Sequence, residues 1–340
     1  VRDDISVERM KTMNMMKTML SLAGTLALST AFAAPAAKNP EPHVAMPRTA
    51  APTVDGVIGA EEWADAVRME GFCVYRKDEI FPADASFMVK QDGERVYIAG
   101  SCIVPPDGLV RKVMPRAGGA NVFVDDCYEI VFFDNVDLKN VKASHLYVNY
   151  NGAMMANCRT GSEDAMWKAW ETVETKSAIR DGMWEIEVSV PFSDIGFTAA
   201  NARQHALRIC RNWWHADDTA YSVQTSWSQS DGPFLSVDRA PRVEFRDDAP
   251  VVRCERMGKN ASGNVYEAVF SVFNPGKAPL AVKGLLRGAP ANSQPADRRE
   301  TFTVAPGARQ EFALKGPVLN DEAVAFTASF DSAGAAISPF

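Results

Sequence analysis

Side chains able to do acid–base, nucleophilic or metal chemistry are thinly spread through this chain. It has four histidines, His43, His145, His205 and His215, with no spacing that suits a shared metal ion or a nucleophile–base pair. No G-x-S-x-G elbow, H-E-x-x-H helix, phosphate-binding loop or G-x-G-x-x-G turn occurs. A hydrolase working through two placed carboxylates needs no such motif. Glu185 and Glu187, in Trp184-Glu185-Ile186-Glu187-Val188, are the best local pair. Residues two apart on a strand share a face, so both acids point away from Ile186 and Val188, and a solvated sheet face is expected. No cofactor is expected. The acidic loop Asp134-Asn135-Val136-Asp137 offers oxygens that suit a structural calcium ion or simply an ordinary turn. Six cysteines contain no C-x-x-C pair and allow 15 disulfide pairings, among which the sequence does not choose.

Aromatic residues carry a stronger signal. Seven tryptophans stand at 63, 167, 170, 184, 213, 214 and 227. Trp63, Trp184 and Trp227 sit within or beside apolar runs and are expected in the core. Trp213 and Trp214 are adjacent, so on a strand they face opposite sides and one can reach the surface.

The elements that position these residues are short strands. Lys11 and Lys17 precede an apolar run over residues 19–28 that ends at Ala31-Phe32-Ala33. This is the pattern of an export signal cleaved after Ala33, with Met10 as the start and residues 1–9 an upstream extension. The run falls short of the roughly 20 residues a membrane span needs. Without residues 1–33 the chain keeps 32 Lys and Arg against 40 Asp and Glu, a net charge of −8. That balance carries no footprint for nucleic acid or anionic lipid. A periplasmic or extracellular product is expected, with no membrane span once the signal is removed.

Residues 34–52 hold five prolines and read as a tether. Alternating apolar residues then mark strands over residues 95–104, 128–133, 145–150, 183–190, 207–212 and 242–245. Asp92-Gly93, Asn151-Gly152 and Asp181-Gly182 lie between such runs and signal hairpins. Only residues 60–67 invite a short helix. A second β-rich unit begins near Asp247, with turns at Asn274-Pro275-Gly276 and Ala305-Pro306-Gly307 where Pro-Gly presets type II geometry. The fold class is all-β, with two β-sandwich domains at 53–246 and 247–340. The second suits an immunoglobulin-like sandwich and carries no functional signal, so it reads as a support domain.

The order of motifs in the first domain resembles carbohydrate-binding module family 9. Pro52-Thr53-Val54-Asp55-Gly56-Val57-Ile58-Gly59 followed by Trp63 is similar to the family's opening. Ala85–Val89 with Glu94–Ala99, Asp126-Cys127-Tyr128-Glu129-Ile130-Val131-Phe132 and Leu146–Tyr150 follow in the family's order. Gly182–Pro191, Ser226-Trp227-Ser228 and Arg242–Phe245 complete a resemblance over residues 52–246. It implies a jelly-roll-like sandwich that binds the ends of sugar chains between two aromatic rings. By position the rings fall on Phe123 and Phe234, where the family has tryptophan. The acidic acceptor of sugar hydroxyls falls on Glu129 and an asparagine on Asn149, with Asp231 beside Phe234 as a further acceptor. The family's arginine is Tyr147 here, which removes a charged donor. Alternation places Tyr147 and Asn149 on one strand face, a pattern that a plain solvated face also fits.

The implied protein is non-catalytic, with an oligo- or polysaccharide as partner. It would support carbohydrate catabolism by separate secreted glycoside hydrolases or cell-surface components. Two other classes stay open: a glycoside hydrolase acting through Glu129 and Glu185, and a structural or haem-binding surface protein, since related sandwiches elsewhere bind haem.

Overall fold

Residues 43–70, 72–76, 85–105, 108–109, 122–160, 163–214, 222–228, 230, 232–259, 265–289, 296–317, 325–332 and 335–337 are described in the computed structural model. The export signal, His215 and Asp231 lie outside them. So do the side chains of Trp170 and Trp214. The strands in chain order are β1 (His43–Met46), β2 (Val67–Glu70), β3 (Phe72–Val74), β4 (Ala85–Gln91), β5 (Arg95–Ile103), β6 (Cys127–Phe133), β7 (Lys142–Asn149), β8 (Met154–Thr160), β9 (Glu163–Met166), β10 (Glu174–Arg180) and β11 (Met183–Pro191). They continue with β12 (His205–Trp214), β13 (Ser222–Trp227), β14 (Arg242–Phe245), β15 (Val251–Lys259), β16 (Val265–Phe273), β17 (Leu280–Ala289), β18 (Ala296–Val304), β19 (Arg309–Pro317), β20 (Ala325–Ser332) and β21 (Ala335–Ile337). The chain is all-β, as its alternating pattern requires, and no described helix is long and apolar enough to cross a membrane.

One sheet runs β1-β14-β12-β6-β7-β8-β9, with β13 paired to β12 and β3 to β13. A second runs β10-β11-β5-β4-β2-β15-β16-β19, and a third β18-β17-β20-β21. The first two face each other across the main core. Tyr128, Ile130 and Phe132 of β6 meet Trp184, Ile186 and Val188 of β11, with the Tyr128 and Trp184 rings 4.9 Å apart. Trp63, Trp184 and Trp227 are each 0–1% exposed, as expected of core residues. The second sheet continues through the parallel contact of β15 with β2, at Arg253 and Arg68, into the C-terminal strands.

Turn chemistry explains the hairpins. Asp181 and Gly182 both take positive φ, 50° and 77°, between β10 and β11, where a two-residue loop of this hand matches the strand twist. Gly307 has φ +66° and its turn closes from Ala308 N–H to Ala305 O. Gly276 is a correction: its φ is not positive, and the Asn274 side chain makes the turn instead. The Asn274 Oδ1 accepts from Gly276 N–H at 2.9 Å, and its Nδ2 donates to Ala278 O and Val304 O.

Two more expectations change. Between Pro42 and Pro47 the run His43-Val44-Ala45-Met46 pairs in parallel with β14, and Val44, Ala45 and Met46 are buried. A stretch read as tether is thus an edge strand from His43, with Pro47 just past its end where no ladder donor is needed. Residues 60–65 form turns rather than a helix, closed by Trp63 N–H to Gly59 O and Ala66 N–H to Trp63 O.

The face carrying Glu185 and Glu187 is not solvated. The 55–63 segment lies over it, and Glu187 is 0% exposed. Glu187 Oε2 accepts from Asp55 N–H at 2.9 Å and Gly56 N–H at 2.8 Å, while Oε1 accepts from Trp63 Nε1 at 2.8 Å. Gly56 has φ +92°, and a Cβ there would stand 3.0 Å from Ser177 N, so only glycine fits. Glu185 forms an ion pair with Arg180 at 2.8 Å. Arginines of the C-terminal strands hold the same segment: Arg253 donates to Trp63 O and Ala66 O, and Arg309 to Ala64 O.

Candidate functional site

Strand alternation builds the site. With Tyr128, Ile130 and Phe132 turned inward, Cys127, Glu129, Val131 and Phe133 occupy the outer face of the nine-stranded sheet. Antiparallel register then sets rows across it. One runs Cys73, Ser226, Cys210, Glu129, Tyr147, Met155. The next on one side runs Arg208, Val131, His145, Asn157, and on the other Asn212, Cys127, Asn149. Glu129 therefore sits at the centre of a polar patch drawn from four strands.

Glu129 is 5% exposed. Its Oε2 accepts from Asn212 Nδ2 at 3.1 Å. Its Oε1 lies 2.7 Å from His145 Nε2, without the alignment of a hydrogen bond. The His145 ring packs 4.2 Å from the Tyr147 ring. Burial raises the Tyr147 phenol well above its ordinary range, and the charge of Glu129 adds to this, so the hydroxyl keeps its proton and donates toward the carboxylate. Burial, followed by the charge of Glu129, likewise raises the thiols of Cys127 and Cys210 and holds them neutral. Several hydrogen-bonding atoms of this patch have no partner: His145 Nδ1, Asn157 Oδ1 and Asn212 Oδ1. Open, buried polar atoms of this kind are costly unless a ligand or water meets them.

The candidate binding residues divide. Phe123, on a single 3-10 turn over Val122–Val124, is 42% exposed. Val122 beneath it packs with Cys127, Ala153, Tyr147 and Met155, which fixes the exposed ring at the end of the patch. Glu129 and the half-buried Tyr147 belong to the patch itself. Asn149 is fully buried, its Nδ2 donating to Asp125 at 2.9 Å and its Oδ1 accepting from Asn151 N–H and Ala153 N–H. Phe234 is 6% exposed and packs edge-on to Tyr75 at 4.8 Å. In this structure Asn149 shapes the β7–β8 hairpin and Phe234 covers the sheet, so neither presents itself to a ligand.

Arg208 explains the cover. It is fully buried, and its guanidinium donates to Phe234 O at 2.9 Å, Ser236 O at 2.8 Å and Asp238 O at 2.7 Å. The 234–240 segment is thereby drawn across Val131, Phe133 and Cys210. His145, Asn157, Asn212 and Arg208 were not singled out by sequence. Alternation with Tyr147 and Asn149 places His145 on their face and could have found it; Asn212 depends on the long-range pairing of β12 with β6, which no local pattern encodes.

Glu129 and Glu185 do not form a catalytic pair. They stand on the outer faces of two different sheets, with the main core between them. The 134–137 loop uses its oxygens on its own backbone: Asp134 Oδ1 accepts from Asn135 N–H and Lys142 N–H, and Asn135 Oδ1 from Asp137 N–H. Among the described residues no three His, Cys, Asp or Glu side chains are grouped to hold a metal ion. None of the six cysteines is in a disulfide.

No family model matches the sequence, and no curated protein matches it. Solved structures are similar to parts of it at low identity. A candidate carbohydrate-binding protein from Bacteroides uniformis ATCC 8492 is 14% identical, with a TM-score of 0.48 over 60% of this chain and 99% of its own. A family 9 carbohydrate-binding module from Caldicellulosiruptor kristjanssonii, in complex with glucose, is 15% identical, with a TM-score of 0.43 over 61% of this chain and 97% of its own. The same module with cellotriose gives 14% and 0.42, over 61% and 95%. At these values the likeness assigns no activity to this chain.

Proposed function

We propose that this chain is an exported, non-catalytic carbohydrate-binding protein whose site is the Phe123–Tyr147–Glu129 end of the outer face. One observation carries the reading. An exposed aromatic ring adjoins a buried polar patch whose His145, Asn157 and Asn212 have atoms without partners. Sugars present C–H faces that stack on aromatic rings and hydroxyls that both donate and accept. Phe123 supplies the ring, and the half-buried Tyr147, oriented by Glu129, supplies a hydroxyl behind it. The order of motifs that resembles family 9 modules supports the same reading. Export rests on the leader pattern, and separate hydrolases would act on the glycan so captured.

Charge narrows the ligand. Among the described residues of the face, Arg208 is bound to three carbonyls and Arg159 to Asp164 at 2.9 Å, so neither is available for a sugar carboxylate. Glu129 adds negative charge. Neutral sugars are favoured over uronates.

Residues 34–340 should bind a neutral oligosaccharide on a glycan array and in titration calorimetry, and Phe123→Ala should weaken it about tenfold. Glu129→Gln should weaken it too while unfolding at a similar temperature. Binding that survives Phe123→Ala unchanged, or the absence of any glycan ligand, would overturn the proposal.

A further inference from the structure

The polar atoms left open on the outer face are unbalanced in kind. Asn212 is 2% exposed, and its Nδ2 donates to Glu129 Oε2 at 3.1 Å and to Cys127 Sγ at 3.5 Å. These contacts fix which way its amide faces, because a turned amide would set its oxygen against the carboxylate. Asn212 Oδ1 is therefore a true acceptor, and it is buried without a partner. Asn157 Oδ1 is a second buried acceptor without one. Glu129, as a carboxylate, only accepts and offers about four lone-pair sites. It receives Asn212 Nδ2 and the Tyr147 hydroxyl, which leaves it room for more.

Donors that could fill these sites from within the protein are engaged elsewhere. No Lys or Arg forms an ion pair with Glu129 among the described residues, and its close neighbour is His145. In the tautomer that turns Nε2–H toward Glu129, His145 Nδ1 is a third open acceptor. Arg208, in the neighbouring row, gives its guanidinium to the Phe234, Ser236 and Asp238 carbonyls. Its unfilled Nε belongs to the covered half of the face. The open half thus has more acceptors than donors, and a ligand completes it by bringing hydrogens.

A sugar hydroxyl brings one hydrogen and also lone pairs that need donors of their own. An ammonium brings three hydrogens and no acceptor. It also sets an opposite charge against a carboxylate that is 5% exposed. We propose, on the basis of the sugar-binding reading, that the preferred sugar carries a free primary amine, held as its ammonium against Glu129 and Asn212. Phe123 stacks on the ring, and the amine, a substituent of one heavy atom, reaches the acceptors behind it. An N-acetyl group does not serve: it has one N–H and adds a carbonyl oxygen to a place already rich in acceptors. Neutral sugars keep the stacking contact and bind more weakly.

Titration calorimetry of residues 34–340 at about pH 6, where a primary amine is protonated, tests this. The probes are β-1,4-linked oligomers of glucose, glucosamine and N-acetylglucosamine of equal length, which differ at one substituent. The glucosamine oligomer should bind about tenfold or more tightly than the glucose oligomer, and the N-acetylglucosamine oligomer no better than the glucose one. Glu129→Gln keeps the shape of the side chain and should bring the preference to within about twofold. An unchanged preference in folded Glu129→Gln would overturn the assignment, and if that variant does not fold the parent's ratio still decides. A parent preference below about twofold would overturn the amine assignment and leave the sugar-binding reading standing, whereas no binding of any glycan would overturn both. Putrescine, which has amines but no ring, should bind at least about a hundredfold more weakly than the glucosamine oligomer. Equal binding of putrescine would make this a site for amines in general and overturn the amino-sugar assignment.

Discussion

Replacing Glu187 by alanine should destabilise the chain more than any other single carboxylate change on the second sheet. The Glu187 side chain is 0% exposed and accepts three hydrogen bonds, at 2.8–2.9 Å, from Asp55 N–H, Gly56 N–H and Trp63 Nε1. Alanine leaves all three donors beneath the surface without an acceptor. Each orphaned buried donor costs about 1–3 kcal/mol, and partial relaxation of the 55–63 segment prevents simple addition, so a loss of about 3–5 kcal/mol is expected. Glutamine retains one acceptor oxygen. It can serve the two backbone donors but then turns its amide toward the Trp63 indole, so a loss of about 1–3 kcal/mol is expected. For a chain of this size each kcal/mol lowers the melting temperature by roughly 2–4 °C. Alanine should thus lower it by roughly 6–20 °C and glutamine by clearly less. Calorimetry or urea unfolding followed by circular dichroism reads the effect, and Trp63→Phe supplies the double-mutant cycle. A loss below about 1 kcal/mol for Glu187→Ala would falsify the view that this carboxylate anchors the segment.

The same carboxylate predicts a pH dependence. Burial raises the Glu187 pKa above its ordinary 4.5 and outweighs the lowering by its three donors. A raised acid holds its proton in the folded state first, so its contribution is fully present below 4.5 and is lost as pH rises through the folded value. Unfolding free energy should fall over that window in the parent and lack this component in Glu187→Gln; identical pH profiles would refute it. Arg208→Leu removes three charged hydrogen bonds to Phe234, Ser236 and Asp238 carbonyls. It should cost about 2–4 kcal/mol and speed amide exchange of Ser236 and Ala240, with unchanged protection counting against the latch.

What was legible in the sequence was local. Asp181-Gly182 sits between two alternating runs, and the hairpin follows from backbone sterics alone. The strands around Tyr128, Trp184 and Leu207 show the same period-two pattern, and they built the core as read. Glu187 was legible in direction but not in environment. Alternation turned it away from Ile186, yet its burial depends on a segment some 130 residues earlier in the chain. The site divided in the same way. Phe123, Glu129 and Tyr147 were placed by motif order, while Asn212 and His145 joined Glu129 only through strand register. The hairpin role of Asn149 is not legible, because a buried asparagine bridging a hairpin and an exposed one offering an amide look alike in sequence.

Among the described residues the two outer faces of the sandwich are covered by similar means but to different extents. On the second sheet the 55–66 segment is tied down by Glu187, Arg253 and Arg309. On the first sheet Arg208 ties the 234–238 segment over β6 and β12 but reaches no farther. Beyond it, β8 is only partly covered: Met154–Asn157 are half-buried, and Arg159 and Thr160 are exposed. Phe123 and Tyr147 lie on this side of the patch, and Glu129 and His145 lie at the margin between covered and open halves. A ligand approaching from β8 therefore meets an aromatic ring first and polar atoms behind it. That order suits a stacked sugar whose hydroxyls point inward. It also separates the predictions: Arg208→Leu acts on the covered half and should alter stability more than affinity, whereas Phe123→Ala acts on the open half and should do the reverse.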